Sequence, residues 1–165
     1  MTYYILIRGA LGVGKSTIAQ RLAKALHAEY ISIDALLEKL GLDKATHYEE
    51  TIPAKNFIKA DEFIMPDVKE KINTGKIVIF DGCFQHKEQI EHLIQNLSVP
   101  HYIFTLKAPL EICIERDGKR KNTYGKDAAI AVYTVVSRFD YGTVIDTTNK
   151  SIGKTVKEIL SHLPK

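Results

Sequence analysis

The sequence predicts an α/β protein of three layers, with helices on both faces of a five-stranded parallel sheet. Two observations predict it. Short apolar, β-rich runs alternate along the chain with helical patterns. Several of those runs are apolar throughout rather than at every second residue, the habit of strands buried on both faces.

Taken in order, Tyr3 to Ile7 forms the first strand, Tyr30 to Ile33 the second, Ile77 to Phe80 the third, Tyr102 to Leu106 the fourth and Val144-Ile145 the fifth. After the first strand, Ile18, Leu22 and Leu26 recur at helical spacing. Ile90, Leu93, Ile94 and Leu97 do so after the third, and Ile152, Val156, Ile159, Leu160 and Leu163 after the fifth. Two stretches break the alternation: Asp34 to Gly75, and Lys119 to Lys126. Ligands of α/β sheets bind outside the carboxyl ends of strands, so these are the candidate substrate and lid segments.

A chain of 165 residues, 45% hydrophobic and 26% charged, fits one domain over 1–165, with a lid at about 117–127. No apolar run approaches the roughly 18 residues that span a membrane, and a strand opens the sequence with no leader ahead of it. A cytoplasmic protein, monomer or homodimer, is expected. Cys83 and Cys113 lack metal or redox spacing and are expected to be buried free thiols.

The most specific motif is Gly9-Ala10-Leu11-Gly12-Val13-Gly14-Lys15-Ser16, a complete G-x-x-x-x-G-K-[ST] between a strand and a helix. Gly9, Gly12 and Gly14 permit tight backbone and close approach. Successive N–H groups, those of Leu11 and Val13 among them, converge on phosphates, and the helix dipole favours the negative charge. Lys15 then reaches the β and γ phosphates of ATP, Ser16 offers an oxygen to Mg²⁺, and Thr17 touches the α phosphate. A plain glycine turn would not place a lysine in the first helical turn, against the dipole.

Other residues narrow the reaction. Asn149-Lys150-Ser151-Ile152 lacks the Asp of a guanine-reading NKxD, DxxG is absent, and there is no LSGGQ segment; the chain is also short for a motor or for an AAA-type module with a helical lid domain. Asp34, at the end of the second strand, can accept a hydroxyl proton or orient that hydroxyl for in-line attack; alternatively it caps the helix from Ala35 to Leu40. Asp81 ends the third strand as a Walker B carboxylate does, meeting Mg²⁺ directly or through water, or else caps the next helix. Which of the two is the base and which lies nearer the metal is left open. Arg120, in a cation-rich stretch, is the leading lid arginine for the transferring phosphoryl group. Arg116, one turn earlier, can stack on adenine, and the alternative for both is a solvated helix end.

Together the phosphate loop, Asp34, Phe80-Asp81-Gly82, Leu106 to Glu111 with Glu115-Arg116-Asp117, and Ile145 to Asn149 resemble the shikimate, gluconate, adenylylsulfate and polynucleotide kinase group. These are small ATP-binding P-loop kinases of AAA type. The resemblance implies the strand order 2-3-1-4-5, adenine between Arg116 and the Thr148-Asn149 loop, and lid arginines such as Arg120 on the phosphates. Ile33-Asp34 departs from the paired DxD of shikimate and gluconate kinases, so none of those substrates transfers. Arg138, before Phe139-Asp140-Tyr141, is a secondary candidate.

From Asp34 to Lys71 nine acids face six lysines, a net 6 − 9 = −3. That is a poor groove for a polyanion, so a small hydroxyl compound ranks ahead of a nucleic-acid 5′-hydroxyl end. An ATP-driven conformational switch without transfer is the reading of another class. His47, Tyr48, Asn56, Cys83, Gln85, His86 and Tyr124 are candidates to line the acceptor pocket, but each is more often a surface or packing residue than a ligand, and spacing singles out none.

Overall fold

The computed structural model describes residues 1–46 and 51–165. Five strands, β1 (Tyr4–Arg8), β2 (Glu29–Ser32), β3 (Val78–Asp81), β4 (His101–Lys107) and β5 (Thr143–Asp146), form one sheet in the order β2-β3-β1-β4-β5. Every pairing is parallel. The order is the one that the resemblance implied, and it puts β1 at the centre. All five β1 residues are buried, which is why that run carries no polar alternation.

Helices cover both faces. On one, α1 (Lys15–Leu26) and α7 (Ile152–Ser161) bring Ile18, Leu22, Val156 and Ile159 against Ile5, Ile7, Ile79 and Phe104. On the other, α2 (Ile33–Leu40), α3 (Ala54–Asn73) and α4 (Lys87–Asn96) bury Leu37, Phe57, Val68, Ile90 and Leu93 on Tyr4, Leu6 and Phe80. Each such side chain removed from water contributes about 1.5–3 kcal/mol. The remaining pair, α5 (Leu110–Gly118) and α6 (Lys126–Val136), stands at the carboxyl edge, where Ala129 and Val136 pack on Leu11 and Cys83.

Three expectations change. Ile33 and Asp34 do not close the second strand; they open α2, and Asp34 sits in its first turn. The cap is Ser32, whose Oγ accepts from the Ala35 N–H at 3.2 Å, so Asp34 is not a cap. Asp81 is not a cap either, because α4 starts after His86. Finally, much of the candidate substrate segment is core. The 20-residue α3 buries Phe57, Ala60, Met65, Val68 and Ile72 despite Pro66 in its interior, which deprives the Glu62 carbonyl of its intrahelical donor.

Candidate active site

The phosphate loop joins β1 to α1 with two glycines in left-handed backbone: Gly12 at φ 79° and Gly14 at φ 98°. A Cβ on Gly12 would stand 2.1 Å from the Cys113 carbonyl oxygen, so the loop fits under α5 only with glycine there. Gly14 is the N-cap of α1 and no side chain caps the helix, leaving its first N–H groups free for an anion. Gly12, Gly14, Lys15, Ser16, Thr17, Arg116 and Arg120 line one hollow. Gly9 and Val13 are buried, and a Cβ on Gly9 would stand 2.7 Å from Val13 Cγ1.

Lys15 is buried, and among the described residues no carboxylate lies within ion-pair distance of its Nζ. Burial disfavours its charge, but the field of Cys83, Asp34 and Asp81 outweighs that and raises its pKa. Cys83 is a neutral thiol at pH 7, burial pushing it up to about 12, so the two carboxylates are what the ammonium feels. Asp34 is raised above the ordinary carboxylate range by burial and by Asp81, with Lys15 and Arg120 opposing. It is therefore a stronger base than a surface aspartate.

Asp81 is buried at the end of β3, where its Oδ2 accepts from the Tyr30 hydroxyl at 2.6 Å and its Oδ1 has no partner among the described residues. A buried carboxylate oxygen without a donor suits a cation or its water. Together with the Ser16 hydroxyl in the hollow it is a sparse oxygen set that fits Mg²⁺, which keeps most of its waters.

Arg116 is no solvated helix end. It donates to the Val13 carbonyl at 3.4 Å, to Thr147 Oγ1 at 3.3 Å and to the Thr147 carbonyl at 3.3 Å, tying α5 to the phosphate loop and to the segment after β5. Thr148 and Asn149 follow there, outside the hollow's lining. Thr148 N–H and Oγ1 both bond Asp146 Oδ1, at 2.8 and 2.5 Å. Arg120 is half exposed and leans on buried Asp117 at 3.5 Å, with Thr123 Oγ1 on the other oxygen at 2.6 Å.

A second cavity, of about 150 Å³, opens beside the first. Asp34, Leu11, Cys83, Gln85 and Phe57 line it, and Tyr124 and Val132 close it from the α6 side. Leu11 thus turns its side chain to this cavity rather than to the phosphates. Asn56 and His86 serve structure, donating toward the Leu42 and Ile52 carbonyls at 3.0 and 2.7 Å. His47 and Tyr48 lie outside the described residues.

The sequence pattern of a family described as AAA domain matches residues 5–139. The chain belongs to that family of P-loop kinases. Among its relatives, rat "Adenylate kinase 8" is 31% identical over 128 residues, covering 70% of this chain and 25% of the rat protein. The chain thus spans a quarter of that relative's length. "Shikimate kinase" of Oceanobacillus iheyensis is 28% identical over 99 residues, 60% of this chain and 53% of that protein. A sugar kinase structure from a Janibacter species superposes with a TM-score of 0.79 at 16% identity, over 98% of this chain and 94% of that one. At that identity the likeness is one of fold.

Within this family fold, two working residues had no motif to reveal them. Tyr30 holds Asp81 across the sheet, a contact set by the β2-β3 register that pairs Ser32 with Asp81. Arg8, wholly buried, donates to the Phe84, Val136 and Phe139 carbonyls and to Thr105 Oγ1 at 3.0–3.3 Å, and lies 4.4 Å from the Phe139 ring centre. Arg8 fixes the end of α6, while Arg138 is exposed. The only available signal was an arginine inside an otherwise apolar strand.

Proposed function

We propose that the chain transfers the γ-phosphoryl group of ATP to a hydroxyl of a small molecule. One observation carries this: Asp34 lines the second cavity and its carboxylate feels the charge of Lys15, which lines the phosphate hollow. A base on the wall of one cavity and within the field of the lysine of the other is what in-line transfer between two bound molecules requires. Lys15 and the uncapped start of α1 hold the phosphates. Asp34 accepts the hydroxyl proton, and Arg120 meets the charge spreading over the equatorial oxygens. Ser16 and Asp81 would hold Mg²⁺, which when bound neutralises phosphate charge. Arg116, with Thr148 and Asn149 beyond it, borders the space for the base of the nucleotide.

Relatives named as adenylate and shikimate kinases support a small acceptor, as does the lack of lysine and arginine among the described residues that line the second cavity. The test is incubation with γ-labelled ATP, Mg²⁺ and separate panels of small alcohols and 5′-hydroxyl oligonucleotides. Label is expected on a small alcohol. Label on oligonucleotides alone would replace the acceptor, and ATP binding without transfer to either panel would make the protein a nucleotide-driven switch.

A further inference from the structure

Asp117 lies in the last turn of α5 against the phosphate loop: it is 2% exposed, and a Cβ on Gly12 would stand 3.0 Å from its backbone nitrogen. Among the described residues, its carboxylate takes both side-chain hydrogen bonds that 120–125 make outside that segment. Thr123 Oγ1 donates to Oδ2 at 2.6 Å, and Arg120 Nη1 reaches Oδ1 at 3.5 Å. The same threonine oxygen accepts the Gly125 N–H at 3.1 Å, and Gly125 is the N-cap of α6. One buried carboxylate therefore joins the end of α5 to the start of α6. The loop that it gathers carries Arg120 at the phosphate hollow and Tyr124 at the second cavity.

Tyr124 stands between the two residues that the threonine hydroxyl joins. Its ring is 61% exposed, so packing alone does little to fix it. The two bonds on Asp117 are unequal. A hydroxyl on a carboxylate at 2.6 Å is short and charge-assisted, whereas 3.5 Å is the outer limit of a hydrogen bond. Arg120 is thus loosely held, and a phosphate in the hollow offers it a stronger partner. Oδ1 has no other donor among the described residues, so the carboxylate draws the guanidinium back when no nucleotide competes.

We infer that Asp117 is a positioning residue for both cavities: through Thr123 it fixes Tyr124 as a wall of the second cavity, and through its other oxygen it parks Arg120 at the phosphate hollow until a phosphate takes it. The tether stands without the kinase reading; the parking rests on that reading for what Arg120 does once released.

The chain has no tryptophan, so Tyr124→Trp supplies a single reporter at that wall. Its quenching by acrylamide reads the tether, and calorimetry with a non-hydrolysable ATP analogue and Mg²⁺ reads the parking. Adding Thr123→Val removes the hydroxyl from an exposed site and should raise the quenching constant at least about twofold, while the analogue Kd stays within about twofold. Thr123→Ser should restore the lower value. Asp117→Asn keeps an oxygen for Thr123 but loses the charge that holds Arg120, so quenching should stay low and the analogue should bind about fivefold more tightly. In an Arg120→Met background that gain should vanish, and Asp117→Glu, which keeps the charge, should not show it. Should Asp117→Asn not fold, Asp117→Ser, equally uncharged, takes its place in the affinity measurement. Quenching unmoved by Thr123→Val overturns the tether. An affinity unmoved by loss of the charge, or raised equally without Arg120, overturns the parking. Neither readout needs transfer, so a chain that phosphorylates no alcohol or oligonucleotide loses the kinase reading and keeps the Asp117 assignment.

Discussion

Tyr30 donates its hydroxyl to one oxygen of Asp81 at 2.6 Å and leaves the other buried, with no partner among the described residues. The tyrosine thus aims a carboxylate that would otherwise rotate. Tyr30→Phe keeps the ring and removes the aim. Because such supporting bonds are worth about tenfold or more in metal affinity, the Mg²⁺ concentration for half-maximal turnover should rise about tenfold, while Mg²⁺-independent ATP-analogue binding is unchanged. Unaltered Mg²⁺ dependence would remove Asp81 from the metal site.

Asp34→Asn should leave ATP binding intact and lower kcat by about 10²–10⁴. A base works deprotonated, so wild-type kcat should fall as pH drops through the Asp34 pKa. Since that pKa is raised from 3.8 by burial first and by Asp81, the acid limb should lie above the value for an exposed aspartate and vanish in the variant. Wild-type kcat in Asp34→Asn ends the assignment.

Ser32→Ala removes the cap that starts α2 and should cost about 1 kcal/mol in urea unfolding. Asp34 stands two residues on, so kcat should also drop several-fold, and Ser32→Asp should restore both. A variant as stable as wild type would show that the cap is dispensable.

Asp61 is wholly buried between α3 and α4, with Gln89 Nε2 on Oδ1 at 3.1 Å, no hydrogen bond to Oδ2 among the described residues, His92 Nδ1 3.9 Å from Oδ2, and Glu62 next in sequence. Burial raises its pKa to about 8 from 3.8, with Glu62 adding and Gln89 opposing. Between those values the folded chain keeps a proton that the unfolded chain has lost. This group's contribution to stability therefore falls as pH rises from 3.8 to about 8 and is flat above. Asp61→Asn should remove that slope and stabilise the protein at pH 8 by an amount on the order of a few kcal/mol, read from urea midpoints at a series of pH values. A slope unchanged by the substitution would assign it to other groups.

The sheet and the donor half of the site were legible because both are written locally. Buried parallel strands leave unbroken apolar runs, and the phosphate loop is eight consecutive residues. The helix α3 was not legible: Asp61 falls on its buried face and Pro66 interrupts it, so the pattern read as a break. Asp34 and Asp81 stood out as acids at strand ends, but what frees them from capping is Ser32 and His86, visible only once the helix starts are known. Tyr30 and Gln85 act across the fold, on partners 51 and 33 residues away, and no spacing rule reaches that far.

Three of the four bonds from Arg8 end on main-chain carbonyls, those of Phe84, Val136 and Phe139. Every residue type carries that acceptor. The brace between the phosphate loop's strand and the helix that walls the second cavity is therefore indifferent to which side chains that helix displays. Ala128 and Val132 can be exchanged without loosening it. Substitutions along that helical face can therefore reshape one wall of the second cavity while the brace to β1 stays as it is.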